Sequence, residues 1–265
     1  MHTKPVSNPP CALLYPRHPY LLPVLFIAIA IVAMLLHGPI AQLNGYHDFA
    51  DQRQWLGISN AADVLSNLGF ALVGLFGMRM LWLQRDHPAF KAGQSGYGLF
   101  FAAIFLTAFG SGWYHLNPDN ARLVWDRLPI ALGCAGLLAA VWHETLGRSR
   151  WISPVLAILA VISVMWWRYT DLLGIGDLRP YLLLQLLPLA IVPLLQWQHR
   201  RPRVERLAFT VAIGLYAVAK IFELADHATL GILLILSGHT IKHLLATLAA
   251  AAVAWGLSRR LEAQC

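Results

Sequence analysis

The feature that most constrains the fold of this chain is a series of apolar runs, each about 20 residues long, that recurs along most of its length. An α-helix rises about 1.5 Å per residue, so a run of this length spans the roughly 30 Å hydrocarbon core of a bilayer. We therefore predict eight membrane-spanning helices. They cover residues 20–42, 61–84, 97–116, 122–145, 151–167, 179–197, 206–224 and 232–256.

The composition agrees with this prediction. Of 265 residues, 58% are hydrophobic and 12% are charged, and the mean hydropathy is +0.57. That balance is typical of multi-spanning membrane proteins and unusual for soluble domains. The connections between runs are short, which predicts an all-α polytopic helical bundle with no separate soluble domain. The three cysteines, Cys11, Cys134 and Cys265, lie too far apart for a metal-binding motif or a disulfide framework.

The distribution of Lys and Arg predicts the orientation of the bundle, because cytoplasmic loops are enriched in both residues. One set of alternate loops carries most of these residues, and the other set has only Arg53, Arg122, Arg168 and Arg179. Both termini are therefore expected in the cytoplasm of a bacterium, with the protein in the inner membrane. The net charge of +7 follows from this bias, so we expect no nucleic-acid partner.

Several polar residues interrupt the apolar runs at positions near the predicted outer surface. The stretch "GSGWYHLNPDNARLVWDRLPI" places Ser111, His115 and Asp126 near the outer ends of the third and fourth helices. The last run carries His239 and His243, which lie on one face of a helix, one turn apart. Ionisable groups at membrane depth are costly and usually functional, so these five residues are predicted to form one site.

The residue types at this predicted site suit metal-dependent hydrolysis. Three imidazoles with an open fourth position are typical of zinc sites that activate water. Asp126 can act as the base for that water or orient a ligand histidine, and the Ser111 hydroxyl can hydrogen-bond an oxyanion. The alternative for each histidine taken alone is a hydrogen-bonded packing residue.

Taken together, these motifs resemble the alkaline ceramidases. The resemblance rests on S-x-x-x-H at Ser111 and His115, on Asp126 eleven residues later, and on H-x-x-x-H at His239 and His243. The ceramidases belong to a wider superfamily of seven-helix membrane hydrolases that includes the adiponectin-type receptors. The segment "DVLSNLGFALVG" at 63–74 is similar to the first core helix of that family, and the resemblance covers about 43–256.

The resemblance implies a zinc-dependent amidase that cleaves ceramide or a similar lipid amide into a long-chain base and a fatty acid. His115, His239 and His243 would be the zinc ligands, with Ser111 and Asp126 catalytic. The substrate's head would lie near the outer leaflet among membrane lipids, and the oligomeric state stays open. The implied organisation is a cytoplasmic tail at 1–19, an additional helix at 20–42, a seven-helix ceramidase-like domain at 43–256 and a cytoplasmic tail at 257–265.

Two further expectations concern the surroundings of the site. Eukaryotic members of the family carry a calcium cluster before the first core helix, but this chain lacks a matching glutamate. The candidate calcium ligands are Asp48, Asp51, Asn60 and Asp63. The alternative is a solvated loop in which Asp63 caps the next helix. Ser66 and Asn67 are expected to form interhelical hydrogen bonds or to support the metal ligands as a second shell of contacts.

Other functions stay open on the sequence alone. A receptor or sensor with the same bundle would hold zinc structurally and turn over little substrate. A haem carrier is disfavoured because His239 and His243 lie on one helical turn, and a transporter because matching broken helices are missing. The charged residues near the last two helices, Lys220, Glu223, Asp226 and His227, are expected at the interface or paired with one another, with a role at the mouth of the pocket as the alternative. Lys242 is expected to point away from the histidines and reach the interface.

Overall fold

The computed structural model describes residues 18–262, and this part of the chain is all-α, with no β-strand. The predicted fold class is confirmed. Residues 1–17 and 263–265, which include most of the predicted N-terminal tail, lie outside the described range. The helices are Leu21–His37 (α1), Ala61–Leu65 (α2), Leu68–Leu83 (α3), Pro88–Lys91 (α4), Gln94–Leu116 (α5), Asn120–Thr145 (α6), Ile152–Leu172 (α7), Arg179–Gln198 (α8), Arg203–Leu224 (α9), Asp226–Leu233 (α10) and Gly238–Glu262 (α11).

Seven helices are long and apolar enough to cross a membrane, with α2 and α3 together forming one span, Ala61–Leu83. The others are α5, α6, α7, α8, α9 and α11. The chain is therefore a multi-pass membrane protein. The first of the eight predicted spans differs, because α1 has 17 residues and ends at His37 rather than at residue 42. It ends there because Gly38 adopts a φ of +80° and Pro39 follows it.

The outer surface of the bundle carries large apolar side chains, as expected of helices that face lipid. Leu72 is 70% exposed, Ile158 58% and Leu248 54%. Such surfaces are unfavourable in water over so large an area and are favourable against acyl chains. Helix α1 shows the same character, since Pro23 is its only buried residue.

Helices α5 and α6 pack closely through small residues. A Cβ on Gly96 would lie 2.2 Å from the backbone nitrogen of Ala140, and a Cβ on Gly136 would lie 2.6 Å from that of Phe100. Close approach of backbones through small residues is a common way for membrane helices to associate. The pair is therefore fixed in register, which also fixes the residues at its far end, His115 on α5 and Asp126 on α6.

A proline inside α6, Pro129, lies at a second close contact between α5 and α6. Pro129 has no N–H to donate to the carbonyl of Trp125, four residues earlier. That carbonyl oxygen would lie 2.0 Å from a Cβ on Gly110 of α5. Because residue 110 is a glycine, α5 and α6 can approach each other closely at this point. The contact lies about one turn before His115 on α5 and next to Asp126 on α6.

The two ends of the bundle differ in character. We call one the histidine end; it comprises the connections at 38–60, 117–119 and 173–178 and residues 225–237. The segment 38–60 crosses this end and is held by backbone contacts. Leu178 N–H donates to the Ile40 carbonyl at 2.8 Å, and Ala50 N–H donates to a carboxylate oxygen of Asp226 at 2.9 Å.

The opposite end, which we call the arginine end, is joined by a buried ion-pair network. Arg260 forms a hydrogen bond with Glu144 (Nη2 to Oε2, 3.0 Å) and an ion pair with Glu205 (Nε to Oε1, 3.1 Å). Arg201 also bonds to Glu205, at 2.8 Å, and Tyr97 donates to Glu144 at 3.1 Å. Arg260 lies in the last turn of α11, which continues to Glu262. Residues 257–262, predicted as tail, are helix.

Candidate metal centre

Three buried histidines from two helices converge at the histidine end. His115, His239 and His243 are 0%, 5% and 2% exposed. Each offers a ring nitrogen, and these three atoms lie within 4.8 Å of one another. The structure therefore brings together the three histidines that the sequence analysis assigned to one site.

The backbone positions the three rings in a simple way. His115 is the penultimate residue of α5, while His239 and His243 occupy the first two turns of α11, where a spacing of four places them on one face. The start of α11 is fixed by Asp226, whose carboxylate accepts the His239 backbone N–H at 2.7 Å. A carboxylate that accepts a free N–H at a helix N-terminus stabilises that terminus.

The orientation of the His243 ring is set by Ser66. The Ser66 hydroxyl donates to the Asp63 carbonyl at 2.9 Å and lies 2.8 Å from His243 Nδ1. A hydroxyl has one hydrogen, so once it donates to Asp63 it accepts from the Nδ1–H of His243. The lone pair of that imidazole then resides on Nε2, the nitrogen available for a metal. The expectation that Ser66 supports a ligand histidine agrees with this contact.

The other two rings are held by packing. The Phe49 ring lies edge-on to both His115 and His239, at centroid distances of 4.7 and 4.4 Å. Phe49 is 6% exposed and belongs to the segment that crosses the histidine end. It separates the two imidazoles from the exterior on that side. The Nδ1 atom of His115 is buried with no hydrogen-bond partner among the described residues.

The distances between the rings suit a zinc ion. His115 Nε2 and His239 Nε2 lie 3.2 Å apart. Zn–N bonds of about 2.0–2.1 Å at tetrahedral angles place two ligand nitrogens about 3.3 Å apart. The ring centroids of the three histidines are 4.7–5.0 Å apart, too close for a porphyrin to lie between any two of them. The residues present therefore fit zinc and do not fit axial ligation of haem.

His243 of this cluster lines a cavity of about 180 Å³ inside the bundle. Ser111, Asp126 and His243 line one end of it, and Phe209 and Val253 line the other. Ser111 is 1% exposed and Asp126 6%. The two predicted catalytic residues thus share a cavity with a predicted zinc ligand, and most of the remaining lining is apolar.

The prediction that Lys242 points away from the histidines is wrong. Its Nζ lies 3.3 Å from His239 Nε2 and 2.7 Å from a carboxylate oxygen of Glu223. Residues three apart on a helix share a face, so Lys242 turns toward His239 rather than away from it. The sequence did contain an indication of this orientation. Glu223, in the preceding span, supplies the opposite charge that a buried lysine needs.

The neighbouring charged residues divide into two groups. Lys220 pairs with Glu223 at 2.6 Å, as predicted. Asp226 instead accepts backbone N–H groups, and His227 lies outside, where its Nε2 is 3.0 Å from the Asp48 carbonyl. Lys220, Glu223 and Lys242 all line the cavity. For Lys220 and Glu223 this agrees with the alternative of a role at the mouth of the pocket, whereas Lys242 was expected elsewhere.

The four candidate calcium ligands do not converge. Asp48 is exposed beside His227, and Asn60 donates its amide N–H to the His115 carbonyl at 2.8 Å. The Asp51 carboxylate is engaged by Arg53, whose hydrogen bonds hold the pKa of Asp51 below its ordinary value of 3.8. Asp63 accepts from two hydroxyls of the α10–α11 region, at 2.6 and 3.2 Å. This arrangement gives the calcium prediction no support.

Asn67, the second residue expected to support the site, contacts it indirectly. Its Nδ2 donates to the Asp63 carbonyl at 2.7 Å, the same carbonyl that Ser66 uses. Asn67 is 1% exposed. Its role is to hold the turn between α2 and α3, on which Ser66 approaches His243.

Comparison with known proteins adds no assignment: no family model matches the chain, and no curated protein matches it either. The functional argument therefore depends on the chemistry of the site and on the motif pattern in the sequence.

Proposed function

We propose that this protein is a zinc-dependent membrane amidase that hydrolyses the N-acyl bond of ceramide or of a similar lipid amide. The observation that carries the proposal is the convergence of His115, His239 and His243 at one end of an apolar cavity that Asp126 and Ser111 also line. Three neutral imidazoles with a free position beside a carboxylate are the residues that metal-assisted hydrolysis needs. The motif pattern shared with alkaline ceramidases points to the same reaction class.

The three histidines would hold the ion through nitrogens that converge, with Ser66 holding the His243 ring in the required tautomer. Zinc in such a site supplies Lewis acidity and makes water nucleophilic near neutral pH. Asp126 takes the proton of the attacking water on a carboxylate oxygen and passes it to the departing amine nitrogen. The Ser111 hydroxyl donates to the oxygen of the amide carbonyl as negative charge develops there.

The cavity supports a substrate with an acyl chain. Its lining on α11 runs from His243 to Val253, a rise of about 15 Å at the helical repeat. Phe100 and Phe209 lie along this path and make it apolar. An acyl chain would lie in the bundle with its amide near the histidines. In the orientation that the basic loops favour, both termini face the cytoplasm of a bacterial inner membrane and the site opens toward the outer leaflet.

The experiment is a fatty-acid release assay on zinc-loaded protein in detergent, with ceramide and other lipid amides as substrates. Asp126→Asn is expected to keep its zinc and to lower kcat by about 100-fold or more, because it removes the proton acceptor. Asp48→Asn is the matched control, an exposed acid at the same end of the bundle, and is expected to leave kcat unchanged.

A wild-type protein that holds zinc and releases no fatty acid from any lipid amide would contradict the amidase proposal. That outcome would favour a zinc-containing receptor or sensor built on the same bundle.

A further inference from the structure

A group of three charged side chains lies inside the cavity beside the histidines, and the proposed hydrolysis makes no use of it. We call it the lysine pair: Lys220 and Lys242, bridged by Glu223. One carboxylate oxygen of Glu223 lies 2.7 Å from Lys242 Nζ, and the other lies 2.6 Å from Lys220 Nζ. All three side chains line the cavity. The lysine pair is therefore a cationic patch in a mostly apolar space.

The lysine pair has more hydrogen-bond donors than these contacts use. Each ammonium group has three N–H donors and no acceptor. Lys220 gives one to Glu223, and Lys242 is engaged with Glu223 and His239. Both oxygens of Glu223 are taken by these contacts. The Lys242 side chain is 15% exposed, so an N–H of its ammonium group left without an acceptor is costly and favours an added acceptor.

The position of Lys242 relates the lysine pair to the reacting centre. Its ammonium group contacts Nε2 of His239, the atom that also lies 3.2 Å from His115 Nε2. If a metal were held by that nitrogen, the ammonium group would lose this acceptor and its N–H would be left for a ligand in the cavity. Lys242 therefore lies beside two of the histidines that would hold the ion.

The other carboxylate on the cavity wall forms no direct ion pair with the lysine pair. Asp126 on α6 is the remaining carboxylate of the lining. Among the described residues, no ion pair joins Asp126 to Lys220 or Lys242. Asp126 acts on Lys242 only through space, so Glu223 is the carboxylate of the lining that is directly ion-paired with the two ammonium groups.

We propose that the site takes N-acyl lipids whose head carries a carboxylate next to the amide nitrogen, as in N-acyl amino acids, and that Lys220 and Lys242 bind that carboxylate. The inference rests on the amidase function proposed above and names its substrate class. A carboxylate forms charge-assisted hydrogen bonds with ammonium groups, which are roughly twice as strong as bonds between neutral groups. The hydroxyls of a ceramide head offer neutral acceptors instead.

The test is a binding measurement, so that it does not depend on turnover. Zinc-loaded full-length Asp126→Asn protein in detergent is titrated with N-palmitoylglycine, with its neutral methyl ester and with palmitate. The wild type is titrated alongside in a rapid-mixing experiment, before turnover, because Asp126→Asn removes a charge that acts on Lys242. N-palmitoylglycine is expected to bind about tenfold more tightly than the ester, as one or two charge-assisted bonds imply. Palmitate, which has the carboxylate but no amide, is expected to bind more weakly than N-palmitoylglycine.

Two substitutions in this background assign the preference to the lysine pair. Lys242→Met and Lys220→Met are each expected to lower affinity for N-palmitoylglycine about tenfold and to leave that for the ester unchanged. The Lys220 side chain is 41% exposed, so Lys220→Met keeps the test valid if Lys242→Met fails to fold. Arg122→Gln is the matched control, a cation of the histidine end that pairs with Asp119 rather than with the cavity.

Equal affinities for N-palmitoylglycine and its ester would overturn the inference, as would palmitate binding as tightly as N-palmitoylglycine. The two proposals fail separately. Ceramide hydrolysis without a carboxylate preference overturns this inference and leaves the amidase standing. A carboxylate preference that Lys220→Met abolishes, in a wild-type protein that cleaves no amide, contradicts the amidase and leaves the carboxylate site.

Discussion

At the scale of single residues, the site depends on which nitrogen each histidine presents to the centre. Ser66 decides this for His243, since its hydroxyl donates to the Asp63 carbonyl and accepts from Nδ1. The outer contacts of a ligand imidazole fix its tautomer and orientation, and they matter to metal affinity nearly as much as the ligand itself. Ser66 should therefore contribute to zinc binding without touching the ion.

Replacing Ser66 by alanine is expected to weaken zinc binding by about 10- to 100-fold, because the His243 ring loses the acceptor that holds its tautomer. The measurement is a competitive titration of the purified protein against a chelator of known affinity. Ser163→Ala is the matched control: Ser163 is also buried and hydrogen-bonds the Ala160 carbonyl, but it lies on α7. If both variants bind zinc like the wild type, Ser66 does not position His243.

The three histidines could be predicted from sequence because their spacing and the alternation of the helices place them at one depth. The orientation of Lys242 could not, because an i,i+3 neighbour of His239 can turn toward either flank of the helix face. The partner that decides its direction, Glu223, lies on another helix. Which side chains pair between helices depends on the tertiary structure, so it cannot be predicted from the spacing of residues within one helix.

At the scale of helices, the α5–α6 pair carries one ligand and the predicted base, so its register decides whether the site can form. Two glycine contacts set that register. Gly96 meets the backbone of Ala140, and Gly136 meets that of Phe100. Gly98 lies two residues after Gly96 in the same helix, and no heavy atom lies within 4 Å of the position that a Cβ would take there.

Substitution of Gly96 by alanine is expected to destabilise the protein by about 1–3 kcal/mol, since the new methyl group has to displace backbone at Ala140. Gly98→Ala, in the same helix, is expected to be neutral or slightly stabilising, because alanine favours helix over glycine. Thermal unfolding in detergent distinguishes the two. Equal melting temperatures for the two variants would show that the close α5–α6 contact is not needed for stability.

The helix ends show where sequence patterns stop being informative. The apolar run at 20–42 continues past the helix, which stops at His37 because the backbone turns at Gly38. At the other terminus, the apolar pattern ends near residue 256, but α11 continues because Arg260 pairs with Glu144 and Glu205. Hydropathy gives the length of the apolar segment, whereas turns and ion pairs decide where the helix ends.

At the scale of the whole molecule, the fold class and the gathering of polar residues at one end follow from the apolar periodicity. The path of the segment 38–60 does not follow, because it depends on contacts such as Ala50 with Asp226 and Phe49 with His115. Those contacts place an aromatic side chain over the histidines, which closes the site on that side. The acidic residues that the sequence offered for calcium are engaged separately, Asp51 by Arg53 and Asp63 by two hydroxyls of the α10–α11 region.

The central claim is that the three histidines form a zinc site, and the most direct test is the zinc content per chain. Elemental mass spectrometry is applied to the wild type, His239→Ala and His37→Ala after zinc-replete growth and chelator-free purification. The wild type and His37→Ala, whose histidine is exposed on α1, are expected to hold about one zinc each, and His239→Ala none. A wild-type protein without zinc under these conditions would contradict the metal centre and with it the proposed hydrolase.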